Sequence, residues 1–120
     1  MSLLDCSLPP EPDRHRLAPD LDAAYLPDAL GRETADALRR EVLERVTWEQ
    51  ANVQMFGRAR PVPRLLAWVA DSGRRYAYSG ILHEPAPWPP RLLALRRSFE
   101  AWLAASFPGV LLNRYRSGAD

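Results

Sequence analysis

Apolar residues recur at helical spacing in two stretches of the chain and in short extended runs between them. Ala35, Leu38, Val42 and Val46 fall on one face at a 3.6-residue period, which predicts a helix from Arg32 to about Val46. Gly31 is a tolerable N-cap, and Glu41 with Arg45 forms an i,i+4 pair expected on the outward side. Leu92, Leu95, Phe99, Trp102 and Leu103 make a second stripe, read as the core face of a helix from Arg91 to about Ser106. Pro90 suits its first turn. Phe107-Pro108-Gly109 should end it, because the residue before a proline avoids helical angles. Both stripes read as packing surfaces without chemistry.

The extended runs lie before and after the second stripe. Ala24–Leu26 is apolar enough for a short strand, and Trp48–Phe56 reads as a strand or an extended edge. Pro63–Val69 reads as a buried strand, Asp71-Ser72-Gly73 as a turn, and Arg75–Gly80 as the next strand. Pro85–Pro90 is a stiff connector in which Trp88 serves as an anchor. After Pro108-Gly109 a last strand begins at Val110. Side chains alternate along a strand, so Leu111, Asn113 and Tyr115 share one face, and Val110, Leu112 and Arg114 the other.

Composition narrows the class. With 120 residues and 47% hydrophobic content the chain is one globular domain or part of one. All 16 basic residues are arginine, and the net charge of +1 hides an uneven distribution. Residues 1–50 hold 6 Arg against 11 acids; residues 51–120 hold 10 Arg against 4 acids. A basic second part suits a polyanion, and scattered solubilising arginines explain it equally well. Residues 1–20, with four prolines among mixed charges, read as a mobile tail. Cys6 is the single cysteine, which excludes an intrachain disulfide and suits a reducing, cytoplasmic setting. The opening residues lack a basic n-region, and the longest apolar run, Leu65–Ala70, is far short of a membrane span.

Three places carry candidate chemistry. Asn113 and Tyr115, an amide and a phenol on a face that starts apolar, suit a small polar ligand or simply the polar rim of a half-buried strand. Phe56-Gly57-Arg58 sets an aromatic beside a glycine turn with cations close behind. Such a Phe can wedge between bases while arginines hold phosphates, or it can tuck into the core. Tyr76 and Tyr78 share a strand face, which suits either base stacking or cross-strand packing. His83-Glu84 resembles an acid–base pair only on paper, since neighbours on a strand point to opposite faces. His83 is read as structural or solvated, and His15 as a solvated tail residue.

Leu111-Leu-Asn-Arg-Tyr-Arg-Ser-Gly-Ala-Asp120, Tyr76-Ala-Tyr-Ser-Gly80 and the Phe56-Gly57 hairpin together resemble, in order and spacing, the AlkB-type dioxygenases. These enzymes use Fe(II), O2 and 2-oxoglutarate to remove alkyl groups from nucleic-acid bases. The resemblance runs from about Trp48 to Asp120. It implies an α+β fold: the N-terminal part of a double-stranded β-helix (a jelly roll) with two packing helices. Residues 21–120 would be an incomplete dioxygenase domain, with a nucleotide-recognition lid at about 48–90 and the first core strand at about 110–115. It implies that Asn113 and Tyr115 bind 2-oxoglutarate, that Phe56, Gly57 and Arg58 contact the nucleic acid, and that Tyr78 stacks on the flipped base with Tyr76 near the backbone. Some family members carry Phe at the position of Tyr78, so the resemblance assigns its hydroxyl no role. The family's iron-binding His-x-Asp would follow a few residues after Asp120. The expectation is a fragment of an oxidative DNA dealkylation enzyme, with RNA as a second substrate class, inactive as it stands for want of iron ligands. The other reading is a non-catalytic nucleic-acid-binding protein. A jelly roll without its later strands leaves edges unpaired, so self-association is expected too.

Overall fold

A computed structural model describes residues 19–120, apart from Ala24 and Ser79. The expected tail, with Cys6 and His15, lies outside the described residues save for a turn at 19–20. The element order is α1 (Arg32–Arg45), β1 (Asn52–Met55), β2 (Arg58–Pro61), β3 (Leu65–Ala70), β4 (Tyr76–Tyr78), β5 (Ile81–His83), α2 (Pro90–Leu103) and β6 (Gly109–Arg114). Among the described residues the architecture is α+β, with two helices and three antiparallel pairs: β1 with β2, β3 with β6, and β4 with β5.

The strand β3 is the centre of the molecule. Its unbroken apolar run, Leu-Leu-Ala-Trp-Val-Ala, is what a strand covered on both faces requires. Ala67 and Val69, the latter 0% exposed, face the helices. There they meet Leu38, Val42 and Val46 of and just after α1, and Leu92 and Leu95 of α2. Leu66 points the other way, into a second cluster with Ala51, Val62, Tyr78 and Leu111. The partner strand β6 follows the same division: Val110 and Leu112 join the helical cluster, and Leu111 joins the second. Register runs from Leu65 opposite Arg114 to Ala70 opposite Gly109. Gly109 is needed there, since a Cβ at this position would lie 2.6 Å from Cζ2 of Trp68.

Several expectations are corrected. Glu41 is not on the outward side with Arg45; it is 6% exposed and faces α2. The N-cap of α2 is Pro89, which offers no side-chain acceptor, and the Glu41 carboxylate fills that role. It accepts the backbone N–H groups of Arg91 at 2.9 Å and Leu92 at 3.1 Å. The second helix stops at Leu103, not near Ser106. Ala104 turns left-handed at φ 50°, and Glu100 takes the Phe107 N–H at 2.9 Å, which folds the chain back before the proline. The stripe on α2 is core only in its first half: Phe99 and Leu103 line an open apolar groove with Phe107 and Val110. Tyr25 and Leu26 form no strand. The edge expected over Trp48–Phe56 narrows to β1, preceded by a single bridge from Glu49 to Leu66.

Ala86, in the proline connector, bridges Val69 and fixes the approach to α2. Trp88 anchors it: the indole Nε1 donates to Asp71 Oδ1 at 3.1 Å, and the Arg96 guanidinium lies 4.9 Å over the ring. Arg96 also donates to both oxygens of Asp71, at 2.6 and 3.1 Å. That hydrogen-bonded arginine holds the Asp71 carboxyl below its ordinary value of 3.8, against a smaller opposing effect of desolvation.

Candidate functional site

The candidate residues gather on the face of the β3–β6 pair away from the helices. Trp68, on that face, stacks against Tyr76 of the β4–β5 hairpin with ring centroids 5.2 Å apart. Tyr76 in turn lies parallel to Tyr78, 10° between planes and 6.4 Å between centroids. Period-two alternation places both tyrosines on one side of β4, so the three rings form a ladder running along the sheet face. Trp68 is fixed at the ladder's base by its Nε1, which donates to the Arg74 carbonyl at 2.6 Å.

Asn113 reaches this ladder through a residue that the sequence did not single out. Nε of Arg64 donates to Oδ1 of Asn113 at 3.0 Å, and its NH2 group donates to the Tyr78 hydroxyl at 3.3 Å. Arg64 precedes β3 by one position, where Pro63 stiffens the backbone and the Arg64 N–H closes a tight turn onto Val62 O. The signal for it in the sequence is slight: a lone Arg between a proline and an apolar run reads as a solvated strand end. With its oxygen engaged, Asn113 presents its NH2 donors.

Tyr115 is not brought into this arrangement. The last strand ends at Arg114, and Tyr115 is 63% exposed beyond it. Asn113 and Tyr115 nevertheless both line a cleft of about 380 Å³, together with Arg39, Trp48, Arg114 and Arg116. Arg116 is engaged there: its guanidinium and backbone N–H grip Asp120, with distances of 2.6–2.8 Å. This pulls the Asp120 carboxyl down to about 2.

Phe56 and Gly57 form the two-residue tip of the β1–β2 hairpin, both at positive φ (52° and 73°). That is the pattern of a type I′ turn, whose twist matches the flanking strands. Glycine accepts it freely, whereas Phe56 adopts the left-handed region at a cost of about 1–2 kcal/mol. Its ring is 96% exposed, so it does not tuck into the core. Opposed residues in an antiparallel pair share a face. The register Val53–Arg60 and Met55–Arg58 therefore puts two exposed arginines on the same hairpin face as Val53. Val53 packs into the cluster that holds Tyr78 and Leu111, so this cationic face is continuous with the aromatic ladder.

His83 is buried at 8% exposure and so is not solvated. Its Nδ1 lies 3.2 Å from Glu49 Oε2, while Glu84 turns away to pair with Arg75 at 2.8 Å. The pair ties β5 to the segment ahead of β1. Among the described residues no group of three or more His, Cys, Asp or Glu side chains could hold a metal ion. Among the described residues no helix is long and apolar enough to cross a membrane.

No family model matches the chain. Curated relatives do. The chain is 36% identical to the human DNA oxidative demethylase ALKBH2 over 110 residues, covering 89% of this chain and 42% of that protein. It is 37% identical to the mouse protein of the same name, covering 89% of this chain and 46% of that protein. The bovine protein of that name matches at 37% over 93 residues, 75% of this chain and 34% of its own length. The chain thus spans less than half the length of the curated relatives it matches.

Proposed function

We propose that this chain, which belongs by sequence to the AlkB-type DNA demethylases, is the substrate-gripping part of an oxidative DNA dealkylation enzyme. The observation that carries the reading is the aromatic ladder Trp68–Tyr76–Tyr78, set beside an exposed Phe56 and a cationic hairpin face. In this reading residues 48–90 act as the nucleotide-recognition lid, and β6 is the first core strand of a jelly roll.

The energy scale supports such a division of labour. Extruding a base costs a few kcal/mol, least when the base is damaged. Stacking on one aromatic returns about 1–3 kcal/mol. Tyr78 alone roughly balances the cost, and the wedge Phe56 fills the vacated stack. Gly57 lets the tip come close to the duplex, Arg58 holds a phosphate, and Tyr76 lies near the nucleic-acid backbone beside the stacked ring.

Asn113 and Tyr115 fit 2-oxoglutarate in kind. An amide NH2 and a phenol donate to carboxylate oxygens, and the cleft they line is rich in arginine. Iron is another matter, since the described residues do not make a site for it. When bound, Fe(II), O2 and 2-oxoglutarate supply the oxidation of the N-alkyl carbon. What this chain's own residues do is hold DNA, take a base from the stack and orient one end of the oxo acid.

DNA is the proposed substrate, with RNA as the second candidate. A DNA substrate locates the work where the genome is kept, a narrower address than the cytoplasm suggested by a lone cysteine. Self-association belongs to the same proposal, because among the described residues β6 pairs with β3 alone.

Binding of a fluorescent duplex carrying one 1-methyladenine tests the reading. Affinity is expected to fall steeply between 50 and 200 mM salt (about tenfold or more, by counterion release). Phe56→Ala and Tyr78→Ala should each weaken it. No binding at the lowest salt overturns the proposal. Formaldehyde release from methylated DNA with added Fe(II) and 2-oxoglutarate would instead reveal a metal site made by this chain, and would remove both the expected inactivity and the non-catalytic alternative.

A further inference from the structure

We propose that Arg64 is a positioning residue that couples the base-stacking ring of Tyr78 to the oxo-acid amide of Asn113. The inference rests on the functional reading above and adds a relay to it.

The geometry is specific. One guanidinium donates through Nε to Asn113 Oδ1 at 3.0 Å and through its NH2 group to the Tyr78 hydroxyl at 3.3 Å. Its carbon also stands 6.0 Å from the centre of the Tyr78 ring. The guanidinium is planar and has its donors in a rigid fork, so moving one partner tilts the plane presented to the other. Asn113 lies on β6 and Tyr78 on the β4–β5 hairpin, two elements that share no backbone pairing. Arg64 is the side chain that hydrogen-bonds to both.

Two consequences follow from the donor–acceptor pattern. Arg64 has no acceptor, so the Asn113 atom facing it is the carbonyl oxygen, and the amide NH2 is left as the donor for a ligand. The arginine thereby sets which way the amide points. Secondly, the Tyr78 hydroxyl becomes a working part. A phenylalanine at position 78 would keep the stacking face and lose the link. A base settling against Tyr78 shifts the ring, and the fork passes that shift to Asn113. The oxo acid, bound at Asn113, biases the ring in return, because coupling between two sites is reciprocal.

The side-chain amide of Asn113 gives a direct readout that needs no turnover. The chain has two asparagines, Asn52 and Asn113, and two glutamines, Gln50 and Gln54, so the Asn113 Nδ2 proton signals are assigned in an NMR spectrum as the amide pair that Asn113→Asp removes. In the free protein, Tyr78→Phe and Arg64→Lys should each displace the Asn113 Nδ2 signals. At saturating lesion-bearing DNA the signals should move in the parent chain and fail to move in Tyr78→Phe. Saturation removes any change of affinity from the comparison. An equal DNA-induced shift in both proteins overturns the relay, as does an Asn113 signal indifferent to Tyr78→Phe in the free state. Absence of DNA binding by the parent chain overturns the functional reading, and the free-state comparison then decides the relay by itself.

Discussion

Glu41 Oε1 accepts the backbone N–H of Leu92 at 3.1 Å, across fifty-one positions of sequence, and so caps a helix that begins without a cap of its own. The neighbouring N–H of Arg91 is held at 2.9 Å by the same oxygen. A carboxylate also favours the positive end of the helix dipole. Glu41→Ala leaves two donors at a buried helix end without partners and should cost about 1–3 kcal/mol. Glu41→Gln keeps an acceptor oxygen and loses the charge, and its cost should be smaller. Urea denaturation of the three proteins checks the order.

Phe56 sets stability against binding. At φ 52° it occupies a conformation that asparagine and glycine take more easily. Phe56→Asn should raise the stability of the hairpin by about 1 kcal/mol and at the same time weaken duplex binding. Amide hydrogen exchange across β1 and β2 reads the first effect, and titration with DNA the second. A variant that is both looser and weaker would contradict the turn assignment.

Asp71 makes the corner acid-sensitive. Arg96, with help from Trp88, holds the Asp71 carboxyl below 3.8 in the folded chain. A depressed carboxyl stabilises the fold at pH above its unfolded value, and that contribution is lost as pH falls through the folded value. The melting temperature should therefore drop on acidification below about pH 4. The drop should be shallower in Asp71→Asn. Equal slopes for the two proteins would show that the corner does not contribute.

Gly109 is matched to Trp68. A methyl group at 109 would meet Cζ2 of the indole at 2.6 Å and Ala70 Cβ at 3.0 Å. Gly109→Ala should cost about 1–3 kcal/mol through overpacking. Because Trp68 carries the Tyr76 stack, it should also change the near-ultraviolet circular dichroism. Gly118→Ala, with open space around it, serves as the control.

The sequence showed the helices and the strand β3 because their burial follows period. Leu38, Val42 and Val46 pack where their spacing predicted, and Leu65–Ala70 is apolar throughout because both its faces are covered. Long-range polar partners left no such trace. Glu41 looked like one half of an exposed pair because periodicity reports which face is apolar, and a buried carboxylate at a helix junction breaks that rule. Arg64 was overlooked for the opposite reason: a hydrogen-bond fork to residues fourteen and forty-nine positions away has no local pattern. The end of α2 shifted because Glu100 and a left-handed Ala104 act before Pro108 can. Resemblance to a family, read from short motifs, pointed at Asn113, Tyr76 and Tyr78, which lie on two separate strand pairs, β3–β6 and β4–β5, linked by Arg64. Tyr115 lay past the point where the strand alternation holds.

The groove between α2 and β6, about 360 Å³ and lined mainly by apolar side chains, has a consequence for the life of the polypeptide. Phe99, Leu103 and Phe107 offer chaperones and proteases a greasy furrow on an otherwise folded body. Turnover inside a cell should thus track how often that furrow is covered.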